Sequence, residues 1–126
     1  MNKHVLERAG YLFVDFRDGS DSVQIAHAYR HFAKACIEKN IQRAAVAAGN
    51  DEPAAHYALR DAFTTMVLAA GIPSAFKLAL VPRTQGVEAV YRLIERDFRV
   101  LGIDTQIFAD EKHAVAWLEP NLDSAT

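Results

Sequence analysis

Asp51 and His56 are the first pair in this sequence with catalytic chemistry in reach, lying in the run Gly49-Asn50-Asp51-Glu52-Pro53-Ala54-Ala55-His56. An imidazole whose ring is held by a carboxylate can act as a general base. The partner such a base needs is a nucleophile: Ser20 and Thr84 are the available hydroxyls, while Cys36 falls on an apolar stripe. The default place for a histidine on the first turn of a helix is solvent, so this pair is not assigned a reaction. Arg83-Thr84-Gln85-Gly86 offers a second chemistry. A guanidinium, a hydroxyl and the free amides of a helix start together make an anion site, and the same residues also suit a plain helix cap beside a solvated arginine. His27 and His31 share a helix face at a spacing that metal ligands use, but no third ligand accompanies them. The chain has no P-loop, no G-x-G-x-x-G, no cysteine pair and no G-x-S-x-G. The candidate binding residues are therefore Asn50, Asp51, His56, Arg83, Thr84 and Gln85, with no catalytic set, metal or cofactor expected.

These residues sit in turns, and the turns are set by the elements between them. Residues 4–8 and Tyr11–Phe16 read as two strands meeting at Ala9-Gly10. Asp21 with Gln24 resembles a capping box, and Ile25, Tyr29, Phe32 and Cys36 follow at helical spacing, with His27, Arg30, His31 and Lys34 on other faces. Asn40 suits the left-handed end of that helix. Arg43–Ala48 is a short apolar strand between Asn40 and Gly49, and Asp51 and Pro53 can open the next helix over 53–70. Leu59, Phe63, Met66, Val67 and Ala70 form its apolar stripe, and Gly71 and Pro73 close it. A strand at 76–81 leads through Pro82 to Gly86 into a helix with Val87, Val90, Tyr91, Ile94, Phe98 and Leu101 on one side, ended by Gly102. A last strand at 105–108 precedes a helix capped by Asp110, with Ala114, Trp117 and Leu118 inward and Pro120 as its stop.

Strand and helix alternating through short turns predicts an α/β fold: a mostly parallel sheet of four or five strands with four helices. In such a sheet ligands favour the crevice beyond the strand carboxyl ends, where Asp18, Ser20, Asp21, Asn50, Asp51, His56, Arg83, Thr84 and Gln85 would gather. At 126 residues and 51% hydrophobic the chain suits one domain over 1–120, with 121–126 as a flexible tail. A net charge of −2 lacks the basic footprint of a nucleic-acid binder. No apolar run approaches the roughly 20 residues that span a bilayer, the start carries no signal-peptide core and Cys36 is alone, which together predict a cytoplasmic protein.

The second half, FKLALV, a helix ending in VLGI, the strand TQIF and then ADEKHAVAWL, resembles the STAS domains, the anti-sigma-factor-antagonist or SpoIIAA-like family. Members of that branch often finish with a strand, an acidic cap, an alanine and a Trp-Leu pair, represented here by Phe108, Asp110, Glu111, Ala114, Trp117 and Leu118. The resemblance extends to the order of elements over nearly the whole chain. It implies a βα superhelix and a noncatalytic regulatory or binding role, through a protein partner, a second copy of the chain or a small apolar or anionic ligand. Regulatory STAS domains carry a phosphorylatable serine or threonine in the loop after the central strand. Here that loop is Gly49, Asn50, Asp51, Glu52 and Pro53, without a hydroxyl, and Thr64 and Thr65 lie too far into the helix to replace it. Asp51 and Glu52 put negative charge where a phosphate would sit, or simply complement the helix dipole. Two other readings are a receiver-like phosphoacceptor using Asp51, with Asp15 or Asp18 and Thr84 beside it, and a small enzyme using His56 and the Arg83 turn. The receiver reading lacks a lysine at the end of the last strand.

Overall fold

The computed structural model describes residues 5–8, 10–16, 22–39, 41–49, 56–70 and 76–118. Its elements are β1 (Val5–Arg8), β2 (Tyr11–Phe16), α1 (Ser22–Glu38), β3 (Arg43–Ala48), α2 (Tyr57–Ala70), β4 (Lys77–Pro82), α3 (Gln85–Val100), β5 (Asp104–Ile107) and α4 (Glu111–Leu118). Gly10 has φ +87°, a left-handed conformation natural to glycine, and lets β1 fold back antiparallel on β2 with Arg8 opposite Tyr11. From β2 onward every pairing is parallel, and the sheet runs β1-β2-β3-β4-β5 in chain order. The result is a mixed, mostly parallel five-stranded sheet with four helices.

Because strand side chains alternate, the sheet has two separate cores. Leu12, Val14, Phe16, Ala44, Val46, Ala48, Leu78 and Leu80 face the helix side, where α1 adds Ile25, Tyr29, Phe32 and Cys36, α2 adds Leu59, and α3 adds Val87, Tyr91, Ile94 and Phe98. Tyr11, Phe13, Ala45, Ala47, Ala79 and Val81 face the other side, covered by Ala114 and Leu118 of α4. Alanines at β3 and β4 leave room for this short helix to approach closely. Asp110 caps it, its Oδ1 accepting from the His113 amide at 2.9 Å.

Several expectations shift. β4 starts at Lys77 and includes Pro82, whereas 76–81 was expected, and β5 takes in Asp104 and stops before Phe108. The Phe108 amide still donates to the Leu80 carbonyl at 2.9 Å, so the pairing continues one bond further than the strand. Leu101 does not continue the buried stripe of α3: it is the C-cap residue and is exposed. Trp117 is only half-buried, tilted against Phe108 with the Lys77 ammonium 5.0 Å from its ring centre. Asp18, Ser20, Asp21, Asn40, Pro53, Gly71, Pro73, Pro120 and the tail 121–126 lie outside the described residues. Among the described residues no helix is long and apolar enough to cross a membrane.

Candidate functional site

Beneath the carboxyl edge of the parallel strands, four aromatic rings from four elements meet. Phe16 ends β2, Tyr29 lies in the middle of α1, His56 immediately precedes α2, and Tyr91 is on the buried stripe of α3. All four are fully buried. The Tyr29 hydroxyl shares a 2.7 Å hydrogen bond with Nδ1 of His56 and a 3.3 Å bond with the Tyr91 hydroxyl. The imidazole meets Phe16 at 5.6 Å and Tyr91 at 5.7 Å between ring centres, both edge to face.

The electrostatics follow from burial. Removal from water lowers the His56 pKa to about 4, so the ring is neutral near pH 7. Burial raises both phenols as well; for Tyr91 the Tyr29 bond and the charge of Arg83 pull partly back. Donation from the Tyr29 phenol to Nδ1 of a neutral imidazole, the stronger acceptor, would put the ring proton on Nε2 and leave the Tyr29 oxygen to accept from Tyr91. In that arrangement both phenol protons would be used within the cluster. His56 Nε2, buried and turned away from Tyr29 by the geometry of the ring, has no hydrogen-bond partner among the described residues.

Arg83 follows β4 at the same edge and pairs toward α4. Its Nη1 donates to Asp15 of β2 at 2.8 Å, and its Nη2 bonds Glu111 at the start of α4. The arginine therefore spans from β2 across β3 to α4, and Asp15 beneath it keeps only 11% side-chain exposure. Partial burial opposes the guanidinium charge, but the two carboxylates outweigh it and raise the Arg83 pKa. Gly49 makes the crossing possible: a Cβ there would lie 2.7 Å from the Arg83 Cβ. The Arg83 amide also donates to the Ala48 carbonyl at 2.7 Å, fixing the turn on β3.

The sequence candidates separate accordingly. His56 is in the core, not at the surface, and its bonded partner is a tyrosine 27 residues upstream. Arg83 is ion-paired and not merely solvated. Thr84 is the N-cap of α3, its hydroxyl accepting from the Val87 amide at 3.2 Å, and Gln85 begins the helix exposed. Asn50 and Asp51 lie outside the described residues. Cys36 is buried, and burial raises its thiol pKa to about 12. His27 and His31 are exposed, and no group of three or more His, Cys, Asp or Glu able to hold a metal occurs among the described residues. By sequence alone Tyr29 and Tyr91 fall on the apolar stripes of their helices and read as packing. The available signal was a hydroxyl-bearing ring on each of two apolar stripes where phenylalanine would pack without needing a partner. No family model, no curated protein and no solved structure matches the chain.

Proposed function

We propose that this chain is a noncatalytic binding domain of the STAS/SpoIIAA-like kind that takes a small molecule at the carboxyl edge of its sheet. One observation carries the reading: the fully buried Nε2 of His56, without a partner among the described residues, in a box of Phe16, Tyr29 and Tyr91. Leaving a buried donor unmet costs about 1–3 kcal/mol, a cost that a ligand carbonyl or hydroxyl oxygen relieves. The sequential strand order, with α1, α2 and α3 packed on one face, supports the family resemblance. A receiver-like domain is doubly wound, with a strand order that reverses beside its first strand, and this sheet has no such reversal. Catalysis by His56 is disfavoured because Nδ1 is occupied by Tyr29 and a base with a pKa of about 4 removes protons weakly at neutral pH.

The test is native mass spectrometry of protein purified gently from its expression host, with denaturing analysis of anything released, on wild type and His56→Phe. A small molecule that leaves the wild type and is absent from a folded His56→Phe protein is the expected result. Wild-type protein that carries nothing and gains no mass from added small carbonyl compounds would overturn the reading and turn the search to protein partners. A ligand retained equally by His56→Phe would keep the binding role and move the site.

A further inference from the structure

The opposite edge of the sheet holds a second concentration of unspent chemistry. Cross-strand register puts Arg8 opposite Tyr11, and Leu12 opposite Ala44 sets Tyr11 beside Arg43, which is in turn opposite Lys77. Residues directly opposite one another on adjacent strands share a face, so Arg8, Tyr11, Arg43 and Lys77 form one row at the amino edge of β2, β3 and β4. Two contacts show which face: the Arg8 guanidinium lies 5.4 Å from the centre of the Phe13 ring, and the Lys77 ammonium lies over Trp117 of α4. Like charges directly opposite one another destabilise a sheet. Arg43 and Lys77 are such a pair, and neither Arg43 nor Arg8 has a carboxylate partner among the described residues. Asp104, opposite Lys77 on the far strand, is the row's acid and lies at its other end.

This row borders a cleft of about 500 Å³ between the β1–β2 turn and the segment joining α1 to β3. Arg8, Tyr11, Gln42 and Arg43 line it, together with Glu7 and Lys39, which are paired with each other. Among the described residues Glu7 is the lining carboxylate and is already paired, while neither arginine has a carboxylate partner, Arg8 resting against the Phe13 ring. The cleft is within the size range of small-molecule sites. Arg8 and Arg43 belong to strands two spacings apart, about 10 Å at the backbone, and both border the cleft. An anion with two adjacent charged groups offers each guanidinium its own partner, and Tyr11 lies on the strand between them.

We propose that this cleft binds a small polyanion of the diphosphate class, each guanidinium taking one charged group. The site is separate from the carboxyl edge and stands or falls independently of the role assigned to His56. Isothermal titration with inorganic pyrophosphate tests it on the full chain, with orthophosphate as the one-group comparison and phosphatidylserine vesicles as the lipid arm. Expected is pyrophosphate binding that weakens with added salt, exceeds orthophosphate, and falls about tenfold or more for each of Arg8→Gln and Arg43→Gln. Arg30→Gln, on the exposed face of α1, should bind as wild type does. Absence of pyrophosphate binding, or equal losses in all three variants, would overturn the proposal, as would binding to vesicles alone. Unfolding midpoints measured alongside separate a lost site from a lost fold, and should either arginine variant fail to fold, Arg8→Lys and Arg43→Lys replace it. Those changes retain the charge and remove the fork, and are expected to weaken pyrophosphate more than orthophosphate.

Discussion

Tyr29 and His56 share a 2.7 Å hydrogen bond in the core although 27 residues separate them. The bond joins α1 to the start of α2 and makes the imidazole part of the folded interior. Its pKa, lowered by burial to about 4 against an ordinary 6.5, has a definite consequence. The folded protein resists protonation where the unfolded chain accepts it, so this contribution is fully present above pH 6.5 and is lost as pH falls toward 4. Between pH 7 and 4.5 the loss from this ring is about 2 kcal/mol. Urea unfolding at both pH values checks it: the drop should be smaller by that amount in His56→Phe. An equal drop in both proteins would show that His56 is not the group being charged.

Gly49 and Arg83 set a second expectation. Gly49→Ala would bring a Cβ within 2.7 Å of the Arg83 Cβ, an atom too near the backbone to swing away. The turn after β4 must move, taking with it the bonds from Arg83 to Asp15 and Glu111. A destabilisation of about 1–3 kcal/mol is expected, typical of overpacking a well-filled site. Thermal unfolding measures the cost, and Arg83→Gln in the same background should then add little, because the bridge is already disturbed. Full additivity of the two changes would show that the glycine acts elsewhere.

Local pattern made most of this architecture legible. Arg43–Ala48 is bounded in sequence by Asn40 and Gly49 and is a strand at those residues, and the period of Val87, Val90, Tyr91, Ile94 and Phe98 places α3. Capping by Asp110 and Thr84 is also local chemistry, each bond spanning three residues. What escaped was non-local. His56 follows an acidic turn in the sequence and reads as surface, and its contacts with Phe16, Tyr29 and Tyr91 from three other elements explain its burial. Arg83 reads as solvated because both its carboxylates come from elsewhere, Asp15 lying 68 residues away. The Arg8–Tyr11–Arg43–Lys77 row exists only once strand register is known. Trp117 fits a helical period, but α4 lies on an open face of the sheet, where one side of the ring meets Phe108 and Lys77 and part of it remains accessible.

That position of Trp117 moderates its expected contribution. A fully buried Phe or Trp truncated to alanine costs about 3–5 kcal/mol, and Phe98→Ala, in the closed core under α3, belongs in that range. Trp117→Ala loses half-buried area and an exposed contact with Lys77, for about 1–2 kcal/mol. Chemical denaturation of the two variants should rank them in that order. A Trp117 effect equal to that of Phe98 would mean that α4 is held against the sheet more fully than its exposure implies.

Cys36 offers a direct reading of how firmly α1 is held. It lies on the buried stripe of that helix beside Phe32, and its thiol pKa of about 12 leaves about one thiolate in ten thousand at pH 8. Only the thiolate attacks a disulfide reagent, and the reagent must also reach it. In native protein an aromatic disulfide reagent should therefore label Cys36 slowly, at a rate set by opening of α1, and in denaturant at once. Adding urea below the unfolding transition separates local from global opening: a labelling rate that climbs with urea as steeply as the unfolding equilibrium means that α1 opens only with the whole domain. Rapid labelling without denaturant would show that α1 does not pack its Ile25–Tyr29–Phe32–Cys36 stripe against the sheet, and the Tyr29–His56 bond would lose its support with it.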